Sequence, residues 1–393
     1  MKKALMYASV ASMIQQFNMS NIALLQELGY KVDVACNFEF GSTISQEKIE
    51  SLKEMLKRIN VDYYHIPIPR KITDIYNLKL SYSQTIELIN ENQYQIIHCH
   101  SPIGGIICRL ANKNSNNYEH TRMIYTAHGF HFFKGNNPLK NFLFRNIERY
   151  GAKYTNTLIT INKEDYEAAK KFKLRKNGTV EYVPGVGIDI DKINAIQGNK
   201  EELCKELNIP SDSILLLSVG ELNDNKNHRV AIQVLPELPN SVHYVICGTG
   251  SLKSQHEQLA NELKVSERLH LLGYRSDVIK IMKSCDVFVF PSKREGLSVA
   301  LMEAMASSLP CIASNIRGNF DLLFNDPISQ LFDFKKGNLV KVTTDLLKQI
   351  NWDKQIKNED TLKLISQDNI KRIMIDIYKE KSHDNKEFFV QKY

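Results

Sequence analysis

Glu295 and Glu303 stand in the stretch Ser292-Lys-Arg-Glu-Gly-Leu-Ser-Val-Ala-Leu-Met-Glu-Ala-Met-Ala-Ser-Ser308, which otherwise reads as a buried helix. An acidic residue near a helix N-terminus complements the dipole, and that accounts for Glu295 without any function. Glu303 has no such account. Flanked by Leu301, Met302, Ala304 and Met305, its carboxylate costs several kcal/mol unless a ligand diol or a structural cation offsets it. Upstream, the loop Gly220-Glu-Leu-Asn-Asp-Asn-Lys-Asn-His228 sets Lys226 just before a helix start. A cation beside exposed helix N–H groups suits a diphosphate. Gly248-Thr-Gly250 opens another helix, either for close backbone approach to a ligand or as a plain tight turn. Leu272-Gly-Tyr274-Arg275 offers backbone groups for a nucleobase edge. His128 follows a strand, precedes a glycine, and carries a ring suited to hydrogen bonding; His131 is a weaker candidate. His98 and His100 share one face of a strand, but no third ligand has sensible spacing. Metal is therefore not expected, and His98 is read as a satisfied structural histidine.

The elements that must hold these residues are short apolar runs alternating with amphipathic segments. The first series is Ala4–Ala8, Val32–Cys36, Ile96–His98, Met123–Thr126 and Thr157–Ile161; the second is Ile214–Val219, Val242–Cys247, His270–Leu272, Val287–Phe290 and Cys311–Ala313. Such alternation predicts two doubly wound parallel-sheet halves, with ligands beyond the carboxyl ends of the strands. Val183-Pro-Gly-Val-Gly-Ile-Asp189 punctuates the pattern as a hinge, where a cleft is expected. The loop after the first run lacks a GxGxxG dinucleotide fingerprint, and Ser12 with Gln15 fits a capping box. Ser9 and Ser12 are equally readable as caps or as ligand contacts. Trp352 to about Lys381 reads as helix, and Ser382–Tyr393 as a polar end that frays.

With 393 residues, 43% of them apolar, the chain exceeds what one core usually serves. No run nears a membrane span, and the start is too quickly polar for a secretory signal, so a cytoplasmic location is expected. Seven scattered cysteines without a CxxC pair read as reduced thiols. A formal charge of +7 admits anionic substrates or lipid, while the absence of any recognition signature excludes nucleic acid. The segment from Phe130 to Arg149 mixes aromatics with Lys134, Lys140, Arg145 and Arg149. It suits either peripheral docking on anionic lipid or a core-packed helix with a solvated charged face.

The order Gly220…Lys226, Gly248-Thr-Gly250, Leu272-Gly273, Pro291-Ser-Lys-Arg-Glu-Gly296, Glu303-Ala-Met-Ala306 and Pro310-Cys-Ile-Ala-Ser314 resembles the family-4 retaining glycosyltransferases of the GT-B fold. Among them the chain is most similar to bacterial capsule and exopolysaccharide enzymes, which also resemble it at Ser12-Met-Ile-Gln-Gln-Phe-Asn18 and Val32-Asp-Val-Ala-Cys-Asn37. The resemblance implies two Rossmann-like domains facing across a cleft. Residues 1–186 would bind acceptor, 187–355 the nucleotide sugar, and 356–393 would form a C-terminal helix crossing back, plus a tail. It implies transfer of a hexose or N-acetylaminosugar from a UDP-sugar to a lipid-linked or oligosaccharide acceptor in surface polysaccharide synthesis, with retention and without cofactor or metal. His128, Glu295 and Lys226 would be catalytic, with Glu295 on the donor sugar's hydroxyls and Glu303 on the ribose. Gly220, Gly248, Gly250, Tyr274, Arg275, Gly296, Leu297 and Ser298 would complete the donor site. Ser9, Ser12, His100, Phe130 and His131 would meet the acceptor, with an anionic membrane surface as a further partner. One departure stands out: many members carry arginine where this chain has Glu221, which leaves Arg294, Lys293 or His228 to compensate. An epimerase on the same fold or a silent partner subunit are the competing readings. Retention of His128, Lys226, Glu295 and Glu303 weighs against the silent subunit.

Overall fold

The interior strands of the chain are buried on both faces, as continuous apolar runs require: Ala4 through Ala8 are all fully buried. The structure is a computed structural model that describes residues 2–39, 44–334, 336–349 and 358–380. It divides into two units, Met1–Pro184 with Lys371–Tyr393, and Gly185–Ile370. In the first, β1 (Lys2–Val10), β2 (Tyr30–Asn37), β3 (Asp62–His65), β4 (Ile96–His100), β5 (Arg122–Ala127), β6 (Thr157–Thr160) and β7 (Thr179–Tyr182) form one parallel sheet in the order β3-β2-β1-β4-β5-β6-β7. In the second, β8 (Ile214–Val219), β9 (Val242–Cys247), β10 (Leu269–Gly273), β11 (Val287–Phe290), β12 (Cys311–Ser314) and β13 (Gln330–Phe332) form another, in the order β10-β9-β8-β11-β12-β13. The strand order reverses between β1 and β4 in one sheet and between β8 and β11 in the other. Those are the switch points where doubly wound sheets hold ligands.

Three strands escaped the sequence pattern: β3, β7 and β13. Each lies at the edge of its sheet, where half-exposed, polar sequences such as Asp62-Tyr-Tyr-His65 suffice and the apolar run fades. The capping box at Ser12 is also corrected. Strand β1 runs into helix Ala11–Phe17 with Val10 as its N-cap and no side-chain cap, so Ser12 lies inside the helix and is buried. At the chain's end, helices Glu359–Ile365 and Gln367–Tyr378 are separated at Ser366, whose neighbours exchange backbone bonds with Ile188. Lys371 onward belongs to the first unit, as a returning C-terminal helix requires. Trp352 and Ser382–Tyr393 lie outside the described residues. All seven cysteines are free.

One buried charge pair fixes two helices of the first unit. Arg109, fully buried on helix Pro102–Lys113, donates to Glu148 of helix Pro138–Ala152 at 3.1 Å, and the Tyr125 hydroxyl donates to the other carboxylate oxygen at 3.0 Å. Two glycines make room for it. A Cβ at Gly151 would lie 2.6 Å from the guanidinium carbon, and one at Gly105 2.6 Å from the Tyr125 ring. Removing one partner strands the other charge, so Arg109→Ala is expected to cost about 3–5 kcal/mol in urea denaturation. The double change Arg109→Met with Glu148→Leu should cost clearly less; equal losses would mean that packing, not charge, sets the value.

Candidate functional site

In the second unit, the loops after β8 and β11 meet at the switch point and are strapped together by their backbones. Lys293 N–H donates to the Asn225 carbonyl at 2.8 Å, and the Asn225 side chain donates to the Arg294 carbonyl at 3.0 Å. Across these straps Lys226 Nζ reaches Glu295 Oε1 at 2.8 Å and lies 4.9 Å from the Phe290 ring centroid. Both side chains are more than three-quarters shielded. From the other side, the Ser314 hydroxyl donates to the Ser292 carbonyl at 2.6 Å, and Arg317 Nε donates to the Glu295 carbonyl at 3.2 Å. A Cβ at Gly318 would fall 2.0 Å from the Gly296 carbonyl oxygen. Glu295 therefore sits in a loop pinned by both neighbouring loops.

Past the turn Gly296-Leu297-Ser298, helix Val299–Ala306 begins, with the Ser298 hydroxyl accepting from Leu301 N–H. Glu303 lies on this helix, half-buried, and desolvation raises its carboxyl above the ordinary range. Among the described residues its carboxylate has no hydrogen-bond or ion-pair partner. The protein itself does not supply the offset that the sequence demanded. No three His, Cys, Asp or Glu side chains among the described residues are grouped to hold a metal.

The glycine loops have a reason other than the two the sequence offered. A Cβ at Gly248 would strike the Gly220 carbonyl at 1.9 Å, and one at Gly250 the Leu222 carbonyl at 2.4 Å. Gly220 N–H and Leu222 N–H donate to Cys247 and Thr249 carbonyls, and Gly248 N–H to the Gly273 carbonyl. Loop-on-loop packing thus requires these glycines. Tyr274 is exposed, and the Arg275 guanidinium pairs with Asp277 at 2.8 Å and Glu206 at 2.5 Å. His228 cannot replace the cation absent at Glu221. It is buried against the Tyr244 hydroxyl, and burial pushes its pKa down to about 3. Lys293 pairs with Asp224 at 2.6 Å.

In the first unit, three histidines line up at the ends of β4 and β5. His98 is satisfied at both ring nitrogens, by Thr126 and Tyr378, each at 2.8 Å. His100 is buried and shares a hydrogen bond of 3.1 Å with His128, so it backs that ring and does not itself meet an acceptor. His128 is half-buried, 5.6 Å from the Phe17 ring, and burial lowers its pKa to about 4. Phe130 is corrected to a core residue, stacked on Phe132 at 4.7 Å. Ser9 accepts from Gly104 N–H at 3.0 Å and so caps helix Pro102–Lys113 rather than its own. His131 packs edge-on against Phe144. The sequence reading missed Arg317 and Asn225; the rule that chemistry follows strand ends points to both, since each follows a central strand.

The family described as Glycosyl transferases group 1 matches residues 199–382, and that described as Glycosyl transferase 4-like matches residues 8–162. The chain is 32% identical over 327 residues to the putative glycosyltransferase EpsD of Bacillus subtilis (strain 168), covering 82% of this chain and 81% of that one. It is 32% identical over 289 residues to the UDP-Gal:alpha-D-GlcNAc-diphosphoundecaprenol alpha-1,3-galactosyltransferase of Escherichia coli, covering 70% and 73%. In fold it is similar to Anabaena HepE, solved in complex with UDP and glucose, with a TM-score of 0.73, 14% identity, and coverage of 97% and 100%.

The histidine chemistry carries a pH signature. Because the folded pKa of His128 lies below the ordinary 6.5, its contribution to stability is present above pH 6.5 and lost as pH falls through about 4. In NMR titration of labelled histidines, the His128 ring should stay neutral between about pH 8 and pH 5. A midpoint near the ordinary value would overturn its buried, neutral assignment.

Proposed function

The chain belongs to the group 1 glycosyl transferases with the GT-B fold, and within that family we propose that it moves a hexose or N-acetylaminosugar from a UDP-sugar to a lipid-linked glycan. The step belongs to surface polysaccharide synthesis and proceeds with retention. One observation carries the donor assignment: an unpartnered, half-buried Glu303 about one turn along the helix that the Lys226–Glu295 pair fronts. A ribose diol donates to Glu303 and offsets its desolvation. Cleaving the sugar–phosphate bond builds charge on the diphosphate, and stabilising that charge is usually the largest catalytic contribution. Lys226 and the N-terminal amides after Gly296 supply it, while Glu295 turns to the sugar's hydroxyls. In this reading residues 187–355 hold the donor and residues 1–186 the acceptor, with neutral His128 as a hydrogen-bonding group of the acceptor half. The Escherichia coli relative's name pairs a UDP-sugar with a diphosphoundecaprenol-linked acceptor, which supports the same classes here.

A lipid-linked acceptor calls for contact with the bilayer surface. No helix among the described residues is long and apolar enough to cross a membrane. Helix Pro138–Ala152 instead leaves Leu139 and Phe142 at least 70% exposed, with Leu143 and Tyr150 also exposed. Lys134, Lys140, Arg145 and Arg149 are exposed alongside them. A merely solvated charged face would not carry these apolar side chains, whereas an anionic membrane surface takes both kinds. Arg109–Glu148 anchors the opposite side of the helix in the core.

Two measurements test the reading. With a UDP-sugar panel and polyprenyl-diphosphate acceptors, Glu295→Gln is expected to lower transfer by about 100-fold or more while UDP still binds. Glu303→Ala should chiefly weaken nucleotide binding, seen as a lost thermal shift with UDP. Unchanged transfer in Glu295→Gln sinks the catalytic assignment, and product NMR showing the inverted anomer sinks retention. For docking, the protein should cosediment with vesicles containing phosphatidylglycerol at low salt. Reversing Lys140, Arg145 and Arg149 should abolish it; neutral vesicles binding equally well would overturn the electrostatic part.

A further inference from the structure

We infer that Met6 and His100 are positioning residues that leave Nδ1 of His128 bare, so that this ring accepts a hydrogen bond from a substrate hydroxyl and has no proton to offer a phosphate. The inference rests on the sugar-transfer reading above. Strand register brings the residues together: Met6 of β1 pairs with His98 of β4, and His100 pairs with Thr126 of β5, two residues before His128. His100 Nε2 lies 3.2 Å from Met6 Sδ, and His100 Nδ1 lies 3.1 Å from His128 Nε2. His98, held at both nitrogens by Thr126 and Tyr378, packs its ring 4.2 Å from that of His100.

Counting protons along this row gives its polarity. A thioether sulfur has lone pairs and no hydrogen to give, so the contact with Met6 is a hydrogen bond only when His100 carries its proton on Nε2. His100 is buried, and burial, followed by the neighbouring His98 and His128, lowers its pKa well below the ordinary range, so the ring is neutral and has one such proton. Its Nδ1 is then a lone pair, and the 3.1 Å bond requires His128 to donate from Nε2. His128 is neutral as well, since burial lowers its pKa to about 4, so its own Nδ1 is bare. That nitrogen has no hydrogen-bond partner among the described residues and is not one of their sealed-off polar atoms. The opposite order of protons would set a bare His100 Nε2 against the sulfur at 3.2 Å and lose one of the two bonds. Leucine, isoleucine or valine would fill the place of Met6 in a buried strand, but none of them accepts a hydrogen bond. Under the transfer reading, a sugar hydroxyl is the donor that suits His128, whereas phosphate oxygens, themselves acceptors, find nothing there.

Nitrogen NMR of the full chain, labelled in its histidine rings, reads the tautomers directly, with His100→Gln and His128→Gln identifying the two signals. In the wild type both rings are expected to be protonated at Nε2 and bare at Nδ1. Met6→Leu, which keeps the volume and removes the acceptor, should populate both tautomers in both rings. Transfer from whichever UDP-sugar the wild type uses should then fall about 2- to 10-fold in kcat, with UDP affinity unchanged. A wild-type His128 protonated at Nδ1 overturns the proposal, whether or not the leucine variant folds. So do rings that stay protonated at Nε2 in Met6→Leu, and so does unchanged transfer once the tautomers have redistributed. A wild type that moves no sugar from any UDP-sugar is a different failure: it sinks the transfer reading, while the spectrum still decides what Met6 and His100 do.

Discussion

An ammonium and a carboxylate 2.8 Å apart, both mostly shielded from water, are the contact around which the second unit's site is organised. A pair this far from solvent gains little net stability, because desolvation takes back much of the Coulomb attraction. Its value is better seen as storage. Each charge is costly to leave alone, so Lys226 and Glu295 hold one another until something else engages both. The straps through Asn225 and Ser314 keep the two loops from drifting apart when that exchange happens, because they are made by groups that take no part in it.

The glycines belong to the same economy of space. Gly248, Gly250 and Gly318 each lie where a single methyl would collide with a carbonyl of the neighbouring loop. Three loops at the carboxyl ends of β8, β9 and β10 therefore exchange backbone hydrogen bonds, and the polar groups of a surface loop are satisfied by other loops. In the first unit the same end of the sheet is built differently, from side chains. Buried imidazoles at 98 and 100 back a third at 128, and a tyrosine of the returning C-terminal helix saturates the innermost.

Much of this was legible in the sequence because burial on two faces leaves an unmistakable run of apolar residues. Strands β8, β9 and β11 have the bounds that the sequence predicts, and all are interior. Edge strands β3, β7 and β13 were not legible, since an edge needs fewer apolar residues. Among the site residues, Lys226 was singled out by its loop and Glu295 by the family resemblance, and the two are in contact. Phe130 and Ser12 were misread for one shared reason. An aromatic or a serine beside a strand end has the right type for a ligand contact, but whether it faces the core or lies inside its own helix is decided by residues distant in sequence. Arg109 and Glu148, 39 positions apart, show the same limit, for nothing local announces their pairing.

The stored pair also says something about which ligands it would accept under the proposed reading. A bare phosphate could draw Lys226 away, but it would leave the Glu295 carboxylate shielded and unpaired, at a cost that offsets much of the gain. A neutral sugar could donate to Glu295, but it offers Lys226 no anion. Only a ligand that brings an anion and hydroxyl donors in one molecule can release both charges into new partners at once. A nucleotide sugar does this, and under that reading its ribose would meet the second carboxylate, Glu303, whose desolvation the protein leaves uncompensated. Selectivity for the intact donor over its separate parts is then a property of paired desolvated charges, with no need for a pocket that fits the donor more closely than its fragments.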